Sequence, residues 1–201
     1  MNIPSKHIEN AVDQIASLPG IGRKTALRLV LQLMNRSKSE IEEFSNAFLM
    51  MKEHVLKCTS CGNISDTEMC EICKDERRDH SIICVVEDIR DVLAIEGTQS
   101  YKGIYHVLNG IISPMDGIGP SDLNIESLIE RVQNIDVNEL IFALSATMEG
   151  DTTSFYLYKK MKGYDVEFSS LSRGVAIGSE LQYADDITLS RSIVNRQPFQ
   201  Y

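Results

Sequence analysis

The sequence of 201 residues contains no tryptophan, and no apolar run approaches the roughly 18 residues that a membrane-spanning helix needs. The first ten residues are polar with scattered charges, so a secretory signal is not expected. The chain also lacks the phosphate-binding pattern GxxxxGK[ST], and ATP hydrolysis by this chain alone is therefore not expected. These absences favour a cytoplasmic globular protein without a membrane association.

An excess of positive charge is missing too, because the formal net charge is −9. The charge is unevenly distributed along the chain. Residues 1–57 carry eight Lys and Arg against six Asp and Glu, whereas residues 58–80 and 81–201 carry net charges of −3 and −8. A mildly basic N-terminal part beside an acidic body is compatible with local contact to phosphates but does not require it.

Residues 1–57 are predicted to form an all-helical module. Apolar residues recur at helical spacing on both sides of residues 18–22, whose sequence LPGIG interrupts the pattern with turn residues. Ser37 followed by Glu40 predicts a capping box at the start of a third helix, which should end near Lys57.

Two short helices joined by the LPGIG turn are typical of a helix-hairpin-helix motif. Glycine permits a tight turn and close backbone approach, and N–H groups at the start of the second helix can face a phosphate. Arg23, Lys24 and Arg28 follow at once and are the candidate DNA-binding residues. Such contacts predict DNA binding that is insensitive to sequence and sensitive to salt.

An ordinary pair of helices with a solvated basic rim is the alternative at this point, since Pro-Gly turns are common in helical hairpins. The direct succession of GIG and the basic pair Arg23 and Lys24 is more particular than a generic turn, and it favours DNA.

The five cysteines are clustered, with four of them in two CxxC pairs separated by eight residues. Each pair can present two thiolates to one tetrahedral ion, so the spacing predicts a structural zinc site. The candidate ligands are Cys58, Cys61, Cys70 and Cys73. A redox pair or two disulfides are the alternatives. Cys84, within an apolar run, is predicted to be a packed core thiol.

After the cysteines, short apolar runs alternate with stretches of helical spacing. This alternation predicts an α/β domain with a mostly parallel sheet and crossover helices. Strands are expected at residues 81–86, 104–108, 139–144 and 166–171, and helices at residues 88–96, 125–133 and 152–161.

Carboxylates follow two of the predicted strands, where parallel sheets commonly bind ligands. Glu87 follows the first strand, and Glu149 and Asp151 follow the third. Such acids can hold Mg²⁺, and the pattern resembles the Toprim fold of topoisomerases, primases and some nucleases. Solvation of loop ends, or capping of the next helix, explains the same spacing equally well.

The order of these parts resembles the bacterial RecR family over essentially the whole chain: a helix-hairpin-helix, a four-cysteine zinc finger, a Toprim-like domain and a short C-terminal segment. The stretches that carry the resemblance are residues 18–28, 58–73, 85–88, 148–152, 172–174 and 178–185. The corresponding domain boundaries are predicted at 1–57, 58–80, 81–176 and 177–201. The last segment is Walker-B-like and is expected to serve oligomerisation.

The resemblance implies a recombination mediator that is not an enzyme. Members of the family work with RecO and RecF to load RecA onto single-stranded DNA, and they form ring-shaped tetramers. Arg23, Lys24 and Arg28 match the basic positions of the family hairpin. The three Toprim acids, Glu87, Glu149 and Asp151, match positions that look like partner contacts. Structural zinc is implied, and any Mg²⁺ is not expected to be catalytic.

Two other functions are compatible with the sequence. The first is a magnesium-dependent Toprim nuclease that uses the three acids. The second is an interaction hub whose hairpin only pairs subunits. The four-part order of the chain favours the mediator.

Overall fold

A computed structural model describes residues 3–198 of the chain, which divides into two compact units. The first unit ends at Val55 and the second begins at Leu56. The first unit is all-helical, as predicted. Its helices are α1 (Lys6–Ala16), α2 (Arg23–Met34) and α3 (Lys38–His54).

Helix α3 begins with the predicted capping box. The Ser37 side chain accepts from the backbone N–H of Glu40, and the Glu40 carboxylate accepts from the backbone N–H of Ser37 at 2.8 Å. The prediction that α3 ends near Lys57 is wrong, since α3 ends at His54 and Leu56–Lys57 is a short strand. Two-residue strands show no periodicity, which is why the sequence did not predict it.

The core of the first unit is small. Val12 of α1 and Ala26 and Val30 of α2 are buried against one another, whereas α3 has no buried residue. The aromatic rings of Phe44 and Phe48 on α3 pack edge to face at 5.1 Å and remain largely exposed. The first unit therefore presents an apolar helix face that its own core does not cover.

The second unit opens with a small antiparallel sheet of β1 (Leu56–Lys57) and β2 (Ile64–Ser65), followed by the one-turn helix α4 (Glu71–Lys74). The main sheet contains β3 (Asp79–Val86), β4 (Gly103–Val107), β5 (Glu139–Ala143) and β6 (Glu167–Ser170). Its strand order is β4-β3-β5-β6 with every neighbouring pair parallel, which confirms the predicted parallel α/β domain.

Helices pack on both faces of the main sheet. The helices of this unit after α4 are α5 (Ile89–Gly97), α6 (Ile125–Asn134), α7 (Met148–Met161) and α8 (Asp186–Val194). Successive residues of a strand point to opposite faces. Ile83 and Val85 pack with α6 and α7, while Cys84 and Val86 pack with Val92 of α5. The prediction that Cys84 is a core thiol is confirmed.

Two predictions for this unit need correction, and one helix has no counterpart in the sequence analysis. Helix α7 begins at Met148 and not at residue 152, so Glu149 and Asp151 lie in its first turn and not in a loop. The predicted long loop at residues 108–124 contains two short 3-10 helices, Pro114–Asp116 and Pro120–Asp122. Helix α8 was not predicted. Among residues 3–198, no helix is both long and apolar enough to cross a membrane.

His106 of β4 is completely buried. Its Nε2 donates to the carbonyl oxygen of Asn124 at 2.7 Å, and its Nδ1 finds no partner among the described residues. Burial, and secondarily the charge of Arg131, lowers the pKa of His106 to about 4. The imidazole is therefore neutral in the folded protein at physiological pH.

The depressed pKa of His106 predicts that stability falls in mild acid. An unfolded histidine binds a proton near pH 6.5, whereas the folded one stays neutral down to about pH 4. The stabilisation present above pH 6.5 is therefore lost as the pH falls towards 4, by about 3 kcal/mol in all. Urea unfolding of the wild type and of His106→Gln between pH 7 and 4.5 measures this. Zinc release in acid affects both proteins, so parallel pH profiles would contradict the assignment.

Candidate metal centre and nucleic-acid interface

The four predicted zinc ligands converge on one point. The sulfur atoms of Cys58, Cys61, Cys70 and Cys73 all lie within 4.8 Å of one another, and all four side chains are buried. The Sγ atoms of Cys61 and Cys70 are 3.6 Å apart. A tetrahedral zinc ion with Zn–S bonds of about 2.3 Å places its sulfurs about 3.8 Å apart. The four thiols therefore fit a structural zinc ion with no open ligand position.

The electrostatics of the cluster also favour a divalent cation. The hydrogen bond between the Cys61 and Cys70 thiols raises the pKa of Cys61 and lowers that of Cys70. A thiolate at Cys70 thus opposes ionisation of the neighbouring Cys61 thiol. Zinc removes this conflict, since it is held by thiolates and offsets their charge.

The first metal-binding turn is fixed to the main sheet. The Cys61 carbonyl oxygen accepts from the Val107 N–H at the end of β4, at 2.8 Å. Gly62 has φ +74°, and a Cβ there would lie 2.5 Å from Asn124 Nδ2 and 2.9 Å from the Val107 carbonyl oxygen. Only glycine fits this turn without displacing its neighbours. The zinc centre is therefore packed against the main sheet and is part of the α/β unit, not an independent domain.

Arg131 of α6 reaches the zinc centre from outside the cysteine segment. Its guanidinium donates to the Tyr105 carbonyl oxygen at 2.7 Å and lies 3.9 Å from the Cys73 sulfur. Lys57 and Lys74 are the cations that flank the cysteine pairs in the sequence. The Lys74 ammonium instead binds Thr67 Oγ1 at 2.8 Å and Glu71 at 3.3 Å. Arg131 is thus a charge partner that sequence spacing did not reveal.

The hairpin turn of the first unit leaves the start of α2 open. Gly20 has φ +79°, and the Ile21 N–H donates to the Leu18 carbonyl oxygen at 3.1 Å. Gly22 caps α2 without any side-chain hydrogen bond, and apart from its two chain neighbours no described residue comes within 4 Å of where its Cβ would be. The first N–H groups of a helix have no intrahelical acceptor. An anion can approach this turn closely and accept from them.

The three basic residues beside this turn differ in their surroundings. Arg23 forms ion pairs with Asp13 and, at 3.6 Å, with Glu9, so its charge is partly offset by α1. Lys24 and Arg28 are exposed, and neither has an ion-pair partner within residues 3–198. Lys24 and Arg28 are therefore the cations most available to a phosphate backbone.

Glu87 lies directly after β3, at the carboxyl end of the sheet. Burial raises the pKa of its carboxyl group, and the negative charges of Asp91 and Asp88 add to the effect. Asp88 caps α5 and Asp91 completes the capping box. Asp88 and Asp91, the acids nearest to Glu87, thus stabilise the N-terminus of α5.

Asp151 is paired with two arginines. Its carboxylate accepts from Arg173 at 2.5 Å and lies 3.5 Å from Arg191, and these contacts hold the pKa of Asp151 below its ordinary value. Glu149 is half-buried in the first turn of α7. The N-cap of that helix is Thr147, and both acids lie in the first turn, where their charge suits the positive end of the helix.

The three acids do not converge as the cysteines do. Across residues 3–198, the four cysteines form the only group of three or more His, Cys, Asp or Glu residues whose ligand atoms lie within 4.8 Å of one another. Glu87, Glu149 and Asp151 are therefore not arranged as a ready three-carboxylate magnesium site.

Family models match almost the whole chain in the same order as its structural parts. They describe a RecR helix-hairpin-helix at residues 8–51, a RecR zinc finger domain with four cysteines at residues 55–75, a Toprim domain at residues 81–172 and a RecR C-terminal segment at residues 174–197.

Curated relatives match over the same length. The chain is 58% identical to the recombination protein RecR of Phocaeicola vulgatus over 196 residues, which cover 98% of this chain and 96% of the relative. It is 54% identical to the recombination protein RecR of Flavobacterium psychrophilum over 200 residues, which cover 100% of this chain and 97% of the relative.

The fold and the cysteine centre define a zinc-stabilised Toprim protein that carries an N-terminal helix-hairpin-helix. With the matches above, the chain belongs to the RecR family. The predicted family and the structural zinc ion are thereby confirmed.

Proposed function

We propose that this chain is a DNA-binding mediator of recombinational repair that acts in the cytoplasm and has no catalytic activity of its own. The name recombination protein, given to its relatives, supports the process. The observation that carries DNA binding is the open start of α2 after Gly22, with Lys24 and Arg28 exposed beside it. In this function the chain acts with RecO and RecF to help load RecA onto single-stranded DNA.

In this function the hairpin contacts the sugar-phosphate backbone of the DNA. The uncapped N–H groups of α2 donate to one phosphate, while Lys24 and Arg28, one helical turn apart, contact the same strand. Arg23 contributes less, because Asp13 and Glu9 offset its charge. Contacts of this kind position the protein without reading bases. Binding that tolerates any sequence suits a protein that acts wherever DNA is damaged.

The surroundings of the Toprim acids support a role other than catalysis. Asp151 is occupied by Arg173 and Arg191, and the described residues do not gather the three acids into one metal site. Glu87 and Glu149 remain candidates for contacts with basic surfaces of partner proteins. The four domains in this function are those predicted from sequence, residues 1–57, 58–80, 81–176 and 177–201.

The exposed face of α3 supports assembly into a closed oligomer, in which a ring-shaped tetramer surrounds DNA. Phe48 is 54% exposed and Met51 is 55% exposed on a helix with no buried residue. Apolar side chains at such density usually pack against another surface. The same apolar face of α3 on a second copy of the chain provides such a surface.

Fluorescence anisotropy of labelled DNA over a salt series, with light scattering on the same sample, tests this function. We expect binding by an oligomer whose logarithmic affinity falls linearly with logarithmic salt concentration. Addition of Mg²⁺ should leave the DNA intact. Cleavage by a clean preparation that is lost in Asp151→Ala would identify a Toprim nuclease instead. Absence of DNA binding at low salt would indicate that the hairpin only pairs subunits.

A further inference from the structure

A cavity of about 900 Å³ lies at the carboxyl end of the main sheet, between α7, β6 and α8. We call it the arginine groove. The residues of this groove that carry the argument are Asp151, Phe155, Tyr158, Arg173, Arg191 and Arg196. All of them belong to the second compact unit.

The charge of the groove is opposite to that of the chain around it. Three arginines and a single acid line the cavity, while the chain as a whole carries a net charge of −9. Three guanidinium groups on one concave surface would not be expected by chance in an acidic domain. A ligand with more than one negative charge is the complement of such a surface.

Asp151 orients two of the arginines and leaves some of their N–H donors available. Arg173 and Arg191 approach its carboxylate at 2.5 Å and 3.5 Å. A guanidinium has five N–H donors, so each arginine retains donors for a phosphate. Arg196 donates to the Ile193 carbonyl oxygen at 3.1 Å and forms no ion pair with an acid among residues 3–198. The groove therefore holds fixed cations with free donors.

Two aromatic rings line the same cavity. Phe155 is 65% exposed and Tyr158, one turn further along α7, is 44% exposed. The Tyr158 ring packs edge to face against Phe168 at 5.2 Å, which fixes its plane. Exposed rings beside arginines are the usual platform for unpaired nucleic-acid bases, because every base has a face that can stack.

We propose that the arginine groove binds a short stretch of single-stranded DNA, with phosphates on the arginines and bases on Phe155 and Tyr158. This goes beyond the hairpin contact of the proposed function and rests on it only in that the partner is DNA. Paired bases in a duplex cannot reach the two rings, so the groove should discriminate by strandedness. An acidic peptide would use the arginines but has no need of the aromatic faces.

The test compares two double variants of the full chain. Phe155→Ala with Arg196→Ala removes the most exposed ring and the unpaired arginine of the groove. Arg77→Ala with Leu93→Ala removes an arginine and a large apolar side chain as exposed as Phe155 from positions outside the groove and outside residues 177–201. The probes are a labelled oligothymidylate and a duplex of equal length. Loss of one stacked base costs on the order of 1–3 kcal/mol, so we expect the groove variant to bind the single strand at least about fivefold more weakly.

The duplex should bind both variants equally, and Phe155→Tyr should restore affinity for the single strand when Arg196 is intact. Equal single-strand affinity of the groove and control variants would overturn the proposal. A wild-type chain that binds DNA only through Lys24 and Arg28 would do so as well, while leaving the proposed function standing.

Two competitors separate the other ligands. Thymidine monophosphate that displaces the oligonucleotide at equal affinity would show a free-nucleotide site. Polyglutamate that binds the wild type, fails to bind the groove variant and leaves oligonucleotide binding intact would show a peptide site. Either result overturns the proposal, and weak competition by both supports it.

Discussion

Replacement of Cys58 with alanine is expected to release the zinc ion and to unfold much of the second compact unit. Three thiolates hold zinc less well than four, and structural zinc supplies about 10–16 kcal/mol of folding free energy in small zinc domains. Whole domains are stable by only about 5–15 kcal/mol. Because the Cys61 carbonyl is bonded to Val107 of the main sheet, the loss should not stay within the zinc turns. Elemental analysis and thermal melting by circular dichroism measure both effects.

Cys84→Ala is the matched control. Its thiol is buried in strand β3, where burial raises its pKa to about 12, and it lies outside the group of four converging cysteines. We expect this variant to keep one zinc ion per chain and to lose on the order of 1 kcal/mol of stability, as for a small core truncation. A Cys58→Ala protein with full zinc content and wild-type melting would show that the fourth ligand is dispensable.

Removal of Lys24 and Arg28 together is expected to weaken DNA binding uniformly across sequences. Each lost phosphate contact lowers the slope of logarithmic affinity against logarithmic salt by about 1, so the slope should fall by about 2. Between roughly 50 and 200 mM salt, the wild type should therefore lose its affinity more steeply than the variant. Anisotropy titrations with two unrelated DNA sequences measure the slope and its independence of sequence.

Lys38→Ala with Lys52→Ala removes the same charge from α3 and controls for the general field of the unit. An equal change of slope in that control would assign the effect to net charge and not to the hairpin. Arg23→Ala should change the slope less and stability more, since it breaks the contacts with Asp13 and Glu9 that join α1 to α2.

The sequence was sufficient where the signal is local. The spacing of the cysteines, the Ser37–Glu40 capping box and the apolar strands each lie within a short stretch, and each is confirmed. The two-residue strands β1 and β2 are too short for any periodicity and are held beside the metal turn. They had to be found in the structure.

Helix α7 begins four residues before the predicted start at residue 152, and its first turn contains a glycine. Gly150 resembles a loop residue, yet it is buried, and a Cβ there would lie 2.0 Å from the Ser145 carbonyl oxygen. The glycine therefore allows the helix to begin close against the preceding strand. Sequence periodicity cannot distinguish this use of glycine from a turn.

The remaining features depend on contacts between distant parts of the chain. Asp151 meets Arg173 across 22 residues, and Cys73 meets Arg131 across 58. Spacing carries no signal for such pairs. The arginine groove has no local signal for the same reason, since it joins Asp151 and Phe155 of α7 to Arg191 of α8 and to Arg196.

The anchoring of the Cys61 carbonyl to Val107 has a consequence for the order in which a ribosome completes this protein. All four thiols leave the exit tunnel before β4 does, so a zinc-loaded turn can form on an unfinished chain. Its attachment must wait for Val107, and Asn124 closes over Gly62 later still. Domains fold as their residues emerge during synthesis. Zinc binding can therefore precede completion of the main sheet during synthesis. If zinc is scarce during translation, the edge strand β4 would lack the ordered metal-binding turn to which Val107 donates.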